Sequence, residues 1–273
     1  MSNEEASRLA AVRSGNLSKS GMAAVPTESK MPIAGRNNRP AGSPPAGDPF
    51  EDMPPAMALQ TLISILLAAA LGAGVAVFAL PVWLPALSQS ILGAEPKAYW
   101  YLSRSSAFAA YILLWLSMVF GLLMTNKLAR VWPGAPAAFD LHQHTSLLGL
   151  AFALFHALIL LGDRYIQATL LQALLPFQYS GYQPLWVGLG QVAFYGLAIV
   201  GLSFYIKDRI GRRAWRLIHF LGFAVFALAL IHGLWSGSDS ASDLARAIYW
   251  ASGGSVLFLT VYRVLAAKVK VER

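Results

Sequence analysis

Between residues 57 and 268 the chain alternates long apolar runs with short polar connections. Six runs stand out: Leu59–Leu80, Ser105–Thr125, His142–Leu161, Leu185–Ile206, Ala214–Trp235 and Ala247–Leu265. Each is about 20 residues long, the length of helix that crosses the hydrocarbon core of a bilayer. Such runs are too long for buried strands. The pattern predicts an all-α membrane protein, a six-transmembrane-helix bundle over 57–268. Residues 1–56 read differently. They hold eight of the fifteen prolines, many Ser and Gly, and no apolar run long enough for a core. A disordered tail on the cytoplasmic side is expected there. It lacks the apolar core and cleavage pattern of a signal peptide.

Composition agrees. Hydrophobic residues make up 56% of the 273 and charged residues 12%, against about 25% charged in soluble domains. The net charge of +8 gathers at the ends of the apolar runs, which argues for membrane orientation and against nucleic-acid binding. Eleven cations fall on one predicted side: Lys127, Arg130, Lys207, Arg209, Arg212, Arg213, Arg216, Arg263, Lys268, Lys270 and Arg273. Only Lys97, Arg104, Arg164 and Arg246 fall on the other. A multi-pass protein of the plasma (inner) membrane, with both termini cytoplasmic, is expected. Between the third and fourth runs, Asp163–Gln183 carries Leu170, Leu171, Leu174, Leu175 and Phe177 and reads as a short amphipathic piece on the outer surface.

With no cysteine in the chain, disulfides, cysteine-held iron–sulfur clusters and thiolate-ligated haem are excluded. The five histidines carry the chemistry. His142, His144 and His156 lie on the third predicted helix, His219 and His232 on the fifth. Ionisable side chains at membrane depth are costly and mark functional sites, and a neutral imidazole is a ready axial ligand for b-type haem iron. His142 and His156 are 14 residues apart, about 21 Å of rise with only about 40° of residual rotation. His219 and His232 are 13 apart, about 20 Å of rise. Both helices run outward, so His142 and His219 share an inner level and His156 and His232 an outer one. Each pair is placed to clamp one haem iron. The 13-residue spacing leaves about 140° of rotation on an ideal helix. Bending near Gly222, turned ring planes or side-chain reach must absorb it. His144 lies about 200° around the helix from His142 and reads as an interfacial residue, with a proton or propionate role as the sharper option.

These segments resemble the ferric reductase-like transmembrane domain family, which includes NADPH oxidases, ferric reductases and the haem-binding subunit of a bacterial methionine sulfoxide reductase system. The resemblance rests on LHQHTSLLGLAFALFH, ending at His156, and HFLGFAVFALALIH, from His219 to His232. It extends through WYLSRSSAFAAYILLWLSMVFGLL, YQPLWVGLG and RRAWRLIH, over roughly residues 98–265. It implies two stacked b haems held by His142, His156, His219 and His232. The large members continue into a flavin and nicotinamide module. This chain ends at Arg273 without a Gly-rich phosphate-binding turn, so a separate flavoprotein or a quinol is the expected donor. A periplasmic redox partner is the possible acceptor.

Arg212, Arg213 and Arg216 precede His219 within two turns and are candidates for the inner haem's propionates, besides setting topology; Arg164 is the candidate on the outer side. Gly149, Gly222 and Gly233 suit either the close approach of a porphyrin or helix packing. The reading is transmembrane electron transfer through two bis-histidine haems. Kept beside it are a relay subunit of a periplasmic oxidoreductase, such as a methionine sulfoxide reductase system, a quinol-oxidising cytochrome b, and a haem-free transporter or assembly protein. The absence of Asp and Glu from all six runs counts against ion-coupled transport.

Overall fold

The computed structural model describes residues 53–85, 98–163 and 165–271, and among these there is no strand. Six helices are long and apolar enough to cross a bilayer: α1 (Leu59–Trp83), α2 (Ala98–Thr125), α3 (Ala135–Gly162), α4 (Pro184–Ile210), α5 (Arg212–Ser236) and α6 (Asp243–Ala267). The chain is a multi-pass membrane protein. The tail expected over residues 1–56 lies, up to residue 52, outside the described residues.

The helices outrun the apolar runs that announced them. α2 starts at Ala98, α3 at Ala135 and α6 at Asp243, because polar flanks continue a helix past the membrane core wherever no breaker intervenes. Helix ends fall where the sequence supplies a reason. Pro136 sits in the first turn of α3, behind Gly134. Pro184 opens α4. Between α4 and α5 a single residue, Gly211, turns the chain at φ 82°, a conformation costly to any residue with a Cβ.

Two antiparallel hairpins dominate the packing, α2 against α3 and α4 against α5; α1 lies on α3 and α6 on α2. By contrast, α3 and α5 hardly approach one another along their backbones. The core is built at mid-depth from Tyr111, Leu114, Leu150, Leu197, Val225, Phe226, Tyr249 and Val256, all buried. Within it, polar side chains tie α2 to α6. The Tyr111 hydroxyl meets Ser252 Oγ at 2.6 Å, Trp115 Nε1 donates to Ser255 Oγ at 2.8 Å, and Asn126 Nδ2 donates to the Leu259 carbonyl at 3.0 Å. Lipid gives helices little hydrophobic reason to associate, so close packing and such bonds carry the association. The outward faces are the reverse of a soluble protein's. Leu71, Phe78, Leu217, Phe220, Trp250 and Phe258 are all well over half exposed, as a lipid-facing surface requires.

Two peripheral segments are fixed to the bundle. Met53–Ala58 leads into α1, with the Ala56 N–H donating to Gln143 Oε1 at 2.7 Å and Lys207 Nζ to the Met53 carbonyl at 3.1 Å. The last residues of the expected tail are thus tied to α3 and α4. On the other side, the amphipathic piece forms the short helix Leu170–Leu174, opened by a capping box between Thr169 and Gln172. Its last carbonyls accept from α4: Gln191 Nε2 reaches those of Gln172 and Ala173 at 2.7 and 2.9 Å, and the Tyr195 hydroxyl reaches that of Leu174 at 2.5 Å. Leu170 and Leu171 remain exposed, as an interfacial helix leaves its apolar face.

Leu62 is fully buried against Met57 and Leu147. Leu62→Ala is expected to cost about 2–5 kcal/mol, read as an earlier thermal transition in detergent. The same change at lipid-facing Leu71 is expected to leave the transition in place.

Candidate functional site

The two helices that stand apart are the two that carry the histidines. His142, His144 and His156 project from α3, and His219 and His232 from α5. The structure brings His142 to His219, with ring centroids 5.8 Å apart and planes at 70°. It brings His156 to His232 at 6.3 Å and 69°. His144 joins neither pair. Its Nδ1–H donates back to the Asp140 carbonyl one turn earlier, at 2.8 Å.

What fixes the rings is a set of bonds between helices. His156 Nδ1–H donates to the Ser103 carbonyl at 2.8 Å. His142 Nδ1–H donates to the Ser117 carbonyl at 2.8 Å. Ser103 and Ser117 are 14 residues apart on α2, the spacing of the two histidines on antiparallel α3, so one hairpin register serves both levels. Each serine returns the contact. Ser117 Oγ–H donates to the His142 carbonyl at 3.2 Å and Ser103 Oγ–H to that of His156 at 3.4 Å. Each Oγ also stands 3.1 or 2.8 Å from the ring Nδ1, as a second acceptor. From the other hairpin, the Trp186 carbonyl accepts from His232 Nδ1–H at 2.8 Å. A carbonyl can only accept, so the proton of these three rings sits on Nδ1 and the Nε2 lone pair is left for a ligand role.

His219 is held otherwise. It lies on Trp215, one turn earlier on its own helix, with centroids 5.2 Å apart and planes at 29°. Among the described residues it makes no hydrogen bond. Its side chain is exposed, whereas those of His142, His156 and His232 are half-buried. This difference answers the rotation left by the 13-residue spacing. α5 runs unbroken through Gly222, and the two rings leave the helix in different settings, one toward α4 and one along α5 itself.

Small residues make room for the rings. One turn beyond the Ser117 carbonyl, a Cβ at Gly121 would stand 3.3 Å from His142 Nδ1 and Cε1. One turn beyond that of Trp186, a Cβ at Gly190 would stand 2.5 Å from His232 Nδ1. Gly149, Gly222 and Gly233, suited in the sequence to porphyrin approach or helix packing, do not touch the rings. Gly149 packs on α2 at Ala110 and Leu113, Gly233 lies against Tyr249, and Gly222 has open space beside it. The signal for Gly121 and Gly190 was present but unused: a glycine on the neighbouring antiparallel helix at a histidine's depth.

Arg212, Arg213 and Arg216 stand exposed on the first turns of α5, beside Trp215. Trp215 Nε1 is buried without a hydrogen-bond partner among the described residues, an unused donor one turn from His219. Arg164 lies outside the described residues.

The donor set suits a bis-ligated planar group. Among the described residues no three of His, Asp and Glu converge, which excludes there a closed tetrahedral ion site. Two metal–imidazole bonds of about 2 Å, with half a ring beyond each, put ring centroids about 6 Å apart. Both pairs meet that spacing across the gap between α3 and α5. The residues present therefore fit axial haem ligation at two levels.

Residues 98–239, which take in α2 to α5 and all five histidines, match the model of a family described as a domain of unknown function (DUF8596). No curated protein and no solved structure matches the chain.

Gly190→Ala is expected to push the His232 ring off the Trp186 carbonyl and cost about 1–3 kcal/mol. Gly222→Ala is expected to stabilise α5 by up to about 1 kcal/mol. Thermal unfolding of the two purified variants reads the opposite signs.

Proposed function

We propose that this chain, which belongs to the DUF8596 family, is a transmembrane electron-transfer protein built to hold two b haems, one between His142 and His219 and one between His156 and His232. The observation that carries the reading is the pair of facing imidazoles at each of two depths, 5.8 and 6.3 Å between centroids. Three of the four rings have Nδ1 committed to a backbone carbonyl. Histidines kept only for packing have no need of matched pairs, nor of glycines cut to the rings. The same spacing and the flanking motifs support kinship with the ferric reductase-like transmembrane domain family.

Bound haem b supplies a reversible one-electron couple at each level. The chain's own residues do the rest. The Ser117, Ser103 and Trp186 carbonyls fix the tautomer and orientation of His142, His156 and His232 before any cofactor arrives, which lowers the cost of ordering them on binding. The side chains around them and the bilayer exclude water. Trp215 Nε1, with Arg212, Arg213 and Arg216 on the same turns of α5, would supply a donor and positive charge to the anionic propionates of a haem held at His219. A haem held at each level by two histidines would supply electron relay without binding a substrate at iron.

The basic end of the bundle faces the cytoplasm by the positive-inside rule, in the plasma membrane, with both termini there. A separate flavoprotein or a quinol delivers electrons, and a partner at the outer face takes them. A periplasmic oxidoreductase, of the methionine sulfoxide reductase kind, is one such partner.

His156→Ala is expected to lower haem from two per chain to one, measured as the alkaline pyridine complex, and His142→Ala to do the same at the other level. His144→Ala is expected to retain both. Full haem content in both His156→Ala and His232→Ala would overturn the pairing.

A further inference from the structure

The connections of this fold leave the inner end of the bundle without a covalent tie between its two hairpins. The α2–α3 hairpin is closed there by residues 126–134 and the α4–α5 hairpin by Gly211. Residues 163–183 join one hairpin to the other, and they do so at the outer end. That end has further ties. The Tyr182 hydroxyl donates to the Ser236 carbonyl of α5 at 3.1 Å, and Arg104 of α2 pairs with Asp239 in the turn after α5. At the inner end no loop crosses from α3 to α4 or α5, although His142 and His219 face each other there. In a bilayer, packing and hydrogen bonds must then hold the hairpins at a fixed distance.

Residues 53–58 lie across that seam. On the α3 side, Gln143, the residue after His142, accepts the Ala56 N–H at 2.7 Å, and Met57 packs with Leu62 and Leu147. On the α4 side, the Tyr205 hydroxyl donates to the Met57 carbonyl at 2.8 Å and Lys207 Nζ to the Met53 carbonyl at 3.1 Å. The α4 contacts lead on to the other histidine. Lys207 Nζ stands 4.3 Å over the Phe204 ring, Phe204 meets Trp215 edge-on at 6.0 Å, and Trp215 stacks on His219. Phe204 also meets Phe139 of α3 at 6.2 Å, so the seam is packed as well as bonded. Gln143 and Met57 are both buried, which keeps water from replacing the bonds that the segment makes.

We propose that residues 53–58 are a clasp that holds the two hairpins together at the inner histidine level. Opening it releases His142 from His219, while His156 and His232, tied by the outer loop, stay in place. The chain just before α1 is thereby a control point for the inner site alone: whatever draws residues 53–58 off Gln143 and Tyr205 opens that site first. Gln143 and Tyr205 act through the clasp as positioning residues. The clasp stands on the contacts above, and only its consequence for cofactor retention rests on the two-haem reading.

A chain without cysteine accepts spin labels wherever a cysteine is introduced. Labels on Asp140→Cys and Ala214→Cys, exposed at the inner ends of α3 and α5, report one distance, and labels on Tyr165→Cys and Ser238→Cys report the outer end. Pulsed double electron–electron resonance on the full-length protein in detergent is read with and without Gln143→Leu plus Tyr205→Phe, which remove one acceptor and one donor of the clasp. The inner distribution is expected to broaden and move to longer distance, and the outer one to stay as it was. Gln143→Glu, which keeps an acceptor for the Ala56 N–H, should retain the narrow inner distribution. Ala56→Pro, which removes that N–H alone, should act as the double variant does, and it decides the matter where the double variant does not assemble. Broadening at both ends alike, or none at the inner end, overturns the clasp whether or not the chain holds haem. The consequence for the cofactor is read separately. With His232→Ala, which leaves the inner site, the double variant should take haem from one per chain toward none. With His219→Ala, which leaves the outer site, it should change nothing. Haem loss with His219→Ala, or no loss with His232→Ala, overturns that consequence and leaves the two-haem reading intact. A wild-type chain that holds no haem overturns the two-haem reading, and the inner distance then judges the clasp by itself.

Discussion

A ring N–H inside a bilayer has no water to turn to, and leaving it unpaired is expensive. In this fold the pairing is made from helix to helix. The Ser103 and Ser117 carbonyls on α2 take the Nδ1–H groups of His156 and His142 on α3, and the Trp186 carbonyl on α4 takes that of His232 on α5. A helical carbonyl already accepts one bond from its own ladder, and its second lone pair is what the imidazole uses. The consequences spread outward. The α2–α3 hairpin has to keep a register that meets both serines at once. Gly121 and Gly190 have to lack side chains where the rings pass. Three imidazoles are left with one tautomer and one free nitrogen each.

The same constraint explains the gap. α2–α3 and α4–α5 each pack tightly within the hairpin, and each hairpin carries its histidines on the member that does not meet its counterpart closely. The core residues Tyr111, Leu150, Val225 and Phe226, from α2, α3 and α5, pack together at sequence positions between the two histidine levels. α1 and α6 stand outside this arrangement and brace it, α1 on α3 and α6 through the hydroxyls of Ser252 and Ser255. A family match over α2 to α5 alone agrees with that division between a four-helix centre and its supports.

Much of this was legible in the chain. Six apolar runs without acidic residues named the spans, and the histidines falling on two of them pointed to the candidate site. Counting 14 and 13 residues was enough to pair them by depth, because helix rise is fixed by backbone geometry. Rotation was less legible. The 140° implied at His232 is absorbed by where each ring finds support, which depends on the neighbouring helix. The anchors could not be read for the same reason. Trp186 acts through a carbonyl that every residue has, and the 14-residue spacing of Ser103 and Ser117 gains meaning only once the α2–α3 register is known. Of the glycines on the histidine helices, Gly149 and Gly233 serve helix packing, while the close approach to the imidazoles themselves comes from Gly121 and Gly190 on the helices opposite. The support for Met53–Ala58 depends on Gln143, Tyr205 and Lys207, far away in sequence.

The most direct measurement is a dithionite-reduced-minus-oxidised visible spectrum of the purified full-length protein, expressed with ample haem supply and with haem counted per chain. Sharp low-spin b-type bands with about two haems per chain are predicted by four histidines paired at two depths. A chain that folds in detergent and carries no haem would contradict the account, and the paired imidazoles would then need another purpose.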